Sequence, residues 1–171
     1  KGNILAPGFI DIHTHFDPQL CWDGYATPSI EHGVTTVVTG NCSLSLAPIK
    51  NGGQDKIISM FQVIEDIKKP TFDAAVPFSW ETFGEYLDHI KPTLGINVGA
   101  LIGHSAVRLY VMGEDSQKRK ATDEEIKEMC DIVEKSMEDG ALGVSSSYVD
   151  VDENFDPVPS RFSCKKEKIE L

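Results

Sequence analysis

The chain has 171 residues, 40% of them hydrophobic and 25% charged, the composition of a soluble globular protein with one ordinary core or of part of a larger domain. A formal net charge of -11 and a pI near 4.8 argue against the general attraction to phosphate backbones or anionic lipid that basic patches provide, so no nucleic acid or membrane partner is expected. No apolar run reaches the roughly 20 residues that cross a bilayer, and the opening KGNILAPG lacks the layout of a signal peptide, so a cytoplasmic setting is expected.

The first element is an apolar β-type run, Gly8 to His15, entered almost at once, as if the chain started in the middle of a larger protein. A short helix is predicted around Thr27 to His32, with Thr27 as N-cap, Pro28 at the first helical position and Gly33 just past the end. The β-branched VTTVVTG, Val34 to Gly40, suits a second strand buried on both faces. Between Asn41 and Gly95 lies an insertion-like excursion with two helical patterns, about Gln54 to Ile67 and about Ser79 to Ile90, separated by Pro70 and Pro77. INVGALIGH, Ile96 to His104, is the third strand, and VRLYVMG after it reads as a helical turn ending at Gly113. The clearest helix starts at Thr122 with a capping box to Glu125, carries the stripe Ile126, Met129, Val133 and Met137, and ends at Gly140. ALGVSSS, Ala141 to Ser147, is the fourth strand, and Ser163 is an N-cap candidate for a final helix that stops as it gets under way.

Strands alternating with helices predict a parallel α/β architecture, with chemistry at the carboxyl ends of the strands. A complete (β/α)8 barrel needs eight strands and typically about 250 residues. Four strands amount to half of one, so the expected fold is the N-terminal half of a TIM-like barrel. No repeat, low-complexity tract or linker marks a further boundary within it.

Alternation along the first strand projects His13 and His15 to one side and Thr14 to the other. Two neighbouring imidazoles at a strand end can chelate one divalent ion. Cys42, in TGNCS immediately after the second strand, can reach the same ion as a thiolate; its alternative is a small buried hydrophobe. The other cysteines, Cys21, Cys130 and Cys164, show no CxxC spacing, and reduced thiols are expected.

PGFIDIHTHFD, HGVTTVVTGNCS followed by LAP, GHSAVR and DGALGVSSS occur in that order, and together they resemble the N-acyl-D-amino-acid deacylases, the D-aminoacylase branch of the amidohydrolase superfamily. The likeness runs from Ala6 to about Phe162. It implies His13 and His15 as paired ligands, Cys42 as a metal-bridging ligand, and one or two divalent ions, zinc foremost. It also implies two further histidine ligands and a catalytic aspartate from strands absent here, with a small β domain upstream, so no catalytic residue is expected within these residues. The implied reaction is hydrolysis of an N-acyl-D-amino acid to a carboxylate and a D-amino acid by metal-activated water, with an aspartate moving the proton. Ser43, where glycine is usual in that family, and SSSYVD, in place of a more glycine-rich turn, put the loop conformations and substrate preference in question.

Among the remaining polar residues, His104 ends the third strand on the expected active-site side, and Arg108 is a candidate for pairing with a substrate carboxylate, the alternative being an intramolecular salt bridge. Asp17 is a candidate to orient a ligand histidine or to cap the turn; Asp11 reads as structural, and His32 and His89 as surface residues. A dihydroorotase-like cyclic amidohydrolase is the nearest competing reading, although it would use a lysine where GNC places a cysteine. A non-catalytic metal-binding scaffold is the other. Two unpaired sheet edges predict aggregation, or dimerisation that completes the sheet, and the missing half of the barrel is the expected partner. Two histidines alone are too few to hold an ion tightly.

Overall fold

The computed structural model describes residues 2–171 and contains four parallel strands in the order β1-β2-β3-β4. These are β1 (Phe9–Asp11), β2 (Val34–Thr39), β3 (Asn97–Gly103) and β4 (Gly143–Ser145). Each pairs in parallel with the next, so the sheet grows in chain order, as half of a (β/α)8 barrel does. Gly40 and Gly103 allow the close approaches that let the strand ends pack. A Cβ on Gly40, at φ +75°, would meet the Leu101 carbonyl oxygen at 1.9 Å, and one on Gly103 would meet the Ser43 carbonyl oxygen at 2.4 Å.

The excursion between β2 and β3 holds three helices: α1 (Gln54–Ile64), α2 (Lys69–Ala75) and α3 (Phe83–Ile90). The helical patterns of the sequence do not include α2, because Pro70 reads there as a separator. Pro70 sits in the first turn of α2, where its missing N–H has no partner to lose. The helix predicted from Ser79 begins instead at Phe83, because Thr82 and Glu85 form a capping box. Phe61, Phe72, Trp80, Phe83 and Tyr86 are buried, and the Trp80 indole N–H donates to the Leu46 carbonyl at 2.8 Å. The excursion therefore has a packed aromatic core tied to the loop after β2.

After β3 come α4 (His104–Met112), α5 (Asp123–Glu138) and, past β4, α6 (Lys165–Glu170). The Thr122–Glu125 capping box opens α5 as expected. Ile126, Met129 and Val133 are buried, but Met137 is 44% exposed, because in the last turn of α5 the inward position is taken by Ser136, which is buried. Near Thr27 the chain forms only a 3-10 turn, Ser29–His32, closed by Gly33 at φ +88°. Cys164 rather than Ser163 precedes α6, and the Ser163 hydroxyl donates to the Ser160 carbonyl instead. Predicted strands one and four are longer than the ladders that form, and His104 belongs to α4 rather than β3. On β1, Phe9, Ile10 and Ile12 next to it are 70%, 63% and 72% exposed, an apolar margin with no covering strand among the described residues. No described helix is long and apolar enough to cross a membrane.

Candidate metal centre

Two backbone segments set the site, one beyond β1 and one beyond β2. Thr14 is buried, and its N–H and hydroxyl both reach the Val38 carbonyl, at 3.0 and 2.9 Å. With Thr14 pinned inward, His13 and His15 emerge on the opposite side, their ring centroids 5.5 Å apart. The carboxamide N–H groups of Asn41 donate to the Thr14 and Val38 carbonyls at 3.2 and 3.0 Å, fastening the two segments together.

Cys42 and Ser43 both lie in the left-handed region, at φ +54° and +67°. Non-glycine residues held there cost of order 1–3 kcal/mol each and persist where the surroundings over-determine them. Here the surroundings are serines: Ser43 N–H donates to Ser145 Oγ at 3.0 Å, Ser105 N–H donates to the Ser43 carbonyl at 3.0 Å, and the Ser43 and Ser105 hydroxyls lie 2.7 Å apart. The conformation explains why glycine suits the position after the cysteine. The hydroxyl pairing shows what a serine there gains in exchange.

The outcome is that donor atoms of His13, His15 and Cys42 lie within 4.8 Å of one another, with Cys42 Sγ 3.4 Å from His13 Nε2. The His15 side chain is only 8% exposed, and its Nδ1 is buried without a hydrogen-bond partner. A sulfur and two imidazoles in that arrangement, one with an orphaned buried nitrogen, fit a divalent ion of the zinc type. Burial lowers the His15 pKa, and the neighbouring His13 adds to this, so the ring is held in the neutral form that binds metal. Burial raises the Cys42 thiol, and the nearby carboxylates of Asp150 and Glu65 raise it further. Glu65 Oε1 lies 3.9 Å from His15 Nε2. Neither carboxylate was found by sequence reasoning, because Glu65 ends a helix of the excursion and Asp150 sits in the loop beyond β4, with no shared spacing to connect them.

The other expected site residues are elsewhere. Arg108 is fully buried in the ion pair that was its alternative reading: Nη1 contacts both Glu167 oxygens at 2.5 and 2.6 Å, and Nη2 donates to the Ser116 and Arg119 carbonyls at 3.1 and 3.0 Å. Its guanidinium faces inward and does not meet the three donors. His104, 2% exposed, lies between Ser146 Oγ and Glu167 Oε1, at 3.1 and 2.7 Å, because it opens α4 and turns into the protein instead of ending the strand at the site. Asp17 is buried, and its Oδ2 accepts from the Gly40 N–H at 3.1 Å. It thus braces the end of β2 and serves a main-chain amide in place of an imidazole. Burial raises its carboxyl to about 7. Asp11 accepts weakly from the His13 N–H at 3.3 Å, His32 is exposed, and His89 is half-buried with its ring 5.0 Å from that of Trp80.

The profile of the amidohydrolase family matches residues 1–157. The chain is 40% identical over 147 residues to the D-aminoacylase of Alcaligenes xylosoxydans xylosoxydans, an alignment covering 85% of this chain and 28% of that protein. It is 37% identical over 147 residues to the N-acyl-D-aspartate deacylase of the same organism, covering 85% and 27%. Among solved structures, a D-aminoacylase crystal structure superposes with a TM-score of 0.73 at 32% identity, covering 96% of this chain and 31% of that one. The N-acyl-D-glutamate deacylase of Bordetella bronchiseptica, complexed with zinc and a phosphonate inhibitor, superposes with a TM-score of 0.70 at 28% identity over the same shares. A binuclear metal centre is described for D-aminoacylase. The chain spans less than a third of the length of these relatives.

Proposed function

The chain belongs to the amidohydrolase family, and from that premise we propose that it forms the first four strand–helix units of a zinc-dependent enzyme that hydrolyses N-acyl-D-amino acids to a carboxylate and a D-amino acid. The observation that carries this reading is the convergence of His13, His15 and Cys42 at the carboxyl ends of β1 and β2. The substrate class is supported by the D-aminoacylase and N-acyl-D-aspartate deacylase likenesses, and the half-barrel by the exposed apolar margin at β1, where further strands would pack.

A divalent ion bound there would supply Lewis acidity toward an acyl carbonyl and bring the pKa of water toward about 7. The residues of this chain do the holding. His13 and His15 offer neutral nitrogens, Cys42 offers an anionic sulfur, and Asn41, Ser43, Ser105 and Ser145 keep the cysteine loop in its left-handed conformation. Asp17 locks the Gly40 amide and so the position from which that loop departs. The aspartate that moves the proton is assigned to the remainder of the barrel. The four thiols, all free, suit a reducing cytoplasm.

A thiol–imidazole nucleophile is the second reading, since Cys42 Sγ lies 3.4 Å from His13 Nε2. The surroundings disfavour it: Glu65 and Asp150 place negative charge beside the sulfur, the opposite of the electropositive setting that activates a cysteine. Metal analysis of the whole enzyme, with hydrolysis of N-acetyl-D-amino acids as the paired assay, tests the choice. Stoichiometric zinc that is lost together with activity in Cys42→Ser supports the hydrolase. Full activity in a chelator, with sensitivity to alkylation of Cys42, would replace it with the nucleophile.

A further inference from the structure

We propose that Glu65 is a fourth donor to the ion held by His13, His15 and Cys42. This rests on the metal-site reading above and extends it to a residue that no strand-end motif carries. Glu65 directly follows α1, and its Oε1 is 3.9 Å from His15 Nε2. Two ligands about 2.0–2.1 Å from one tetrahedral ion lie roughly 3.3 Å apart, so a small rotation of the glutamate brings it into the first coordination sphere. Its side chain is 34% exposed, and its only partner within ion-pair distance among the described residues is His15. Because the donor atoms of His13 and Cys42 lie within 4.8 Å of that of His15, a carboxylate that reaches the His15 nitrogen also approaches the ion they would share.

Asp150 acts on His15 and Cys42 as well, yet it is committed elsewhere. Its carboxylate accepts from the Ser147 hydroxyl, and its own N–H donates to the same oxygen at 3.1 Å, the geometry of a closed turn. His15 Nε2 is the nitrogen that Glu65 faces, so it is the one placed to share an ion with that carboxylate; Nδ1 lies on the far side of the ring, buried without a partner. Two neutral imidazoles, one thiolate and one carboxylate carry a total charge of -2 and neutralise a divalent ion. With four donors on the described residues, the 171-residue chain should bind one such ion without histidines from the rest of a barrel.

Titrating the metal-free chain with Co2+ and recording its absorption spectrum tests this. The unaltered chain is expected to bind one ion, with a thiolate-to-cobalt charge-transfer band and the intense d–d bands of a four-coordinate site. Glu65→Gln should keep the charge-transfer band, lose d–d intensity and bind about tenfold or more weakly. Asp150→Asn should weaken binding by less than about fivefold. Far-UV circular dichroism checks that Glu65→Gln folds; should it not, Glu65→Asp, one methylene short of the ion, is read in the same way and should also weaken binding. If the glutamate variants bind as the unaltered chain does, Glu65 is no ligand while the three-donor site stands. If the unaltered chain shows no charge-transfer band, the metal site falls and Glu65 with it.

Discussion

Breaking the buried ion pair that anchors α6 should cost more than any other single change outside the apolar core. Arg108 and Glu167 are both 0% exposed at the side chain, and the Glu167 oxygens accept from Arg108 Nη1 and face His104 Nε2 at 2.7 Å. Glu167→Gln leaves the guanidinium with two main-chain carbonyls, from Ser116 and Arg119, but no counter-charge, and its Nε already lacks a partner. An uncompensated buried charge costs about 3–5 kcal/mol, a large share of the roughly 5–15 kcal/mol that holds a domain folded. With six residues, α6 is too short to persist by itself, so losing the anchor releases it. The double change Arg108→Met with Glu167→Met removes both charges at similar volume and should cost less than either single change, a coupling of about 2 kcal/mol or more. Urea unfolding followed by circular dichroism measures Glu167→Gln, the single changes Arg108→Met and Glu167→Met, and the double change. Single-variant costs under about 1 kcal/mol, the value of an exposed pair, or costs that simply add, would refute the reasoning. Burial pushes the Glu167 carboxyl up, but the bonds from His104 and Arg108 outweigh it and hold it below the ordinary 4.5. Its contribution is therefore present above that pH and lost as the pH falls through the depressed value, so Glu167→Gln should also flatten the acid limb of the stability curve.

In the metal-free chain Asp17 should act in the opposite sense. Burial raises its carboxyl from 3.8 to about 7, so the folded state holds the proton more tightly, and stability is full below 3.8 and falls as the pH rises toward 7. The loss amounts to about 4 kcal/mol, and Asp17→Asn should remove that slope; parallel melting curves for the two proteins from about pH 4 to about pH 8 would contradict the assignment. Gly103→Ala places a methyl group 2.4 Å from the Ser43 carbonyl oxygen, so it should displace the cysteine loop and cost about 1–3 kcal/mol. Weakened Co2+ binding with the helical circular dichroism retained is the expected result, and unchanged binding would show that the loop tolerates the shift. The exposed Phe9, Ile10 and Ile12 at one sheet edge, with Leu142, Tyr148 and Val149 near the other, should drive self-association. Sedimentation velocity reads this directly, and a monodisperse monomer at tens of micromolar would count against it.

The alternation of strand and helix, the capping box at Thr122 and the facing of His13 and His15 were legible in the order of residues alone. Each depends on a local period or a contact three residues away, and such relations survive in a linear text. Pro70 shows where local rules mislead: the same residue breaks a helix interior and opens a first turn, and only the chain around it distinguishes the two. Arg108, His104 and Asp17 were legible as chemically capable groups, but their directions were not, because each is decided by a partner far along the chain. Those partners are Glu167 for the first two and the Gly40 amide for the third, across sequence separations of 59, 63 and 23 residues. Glu65 and the serine clamp around Cys42 belong to the same class. Glu65 is placed by how the excursion folds back over the sheet and the clamp by how α4 and β4 meet the loop after β2, and such packing in three dimensions is encoded by no periodicity.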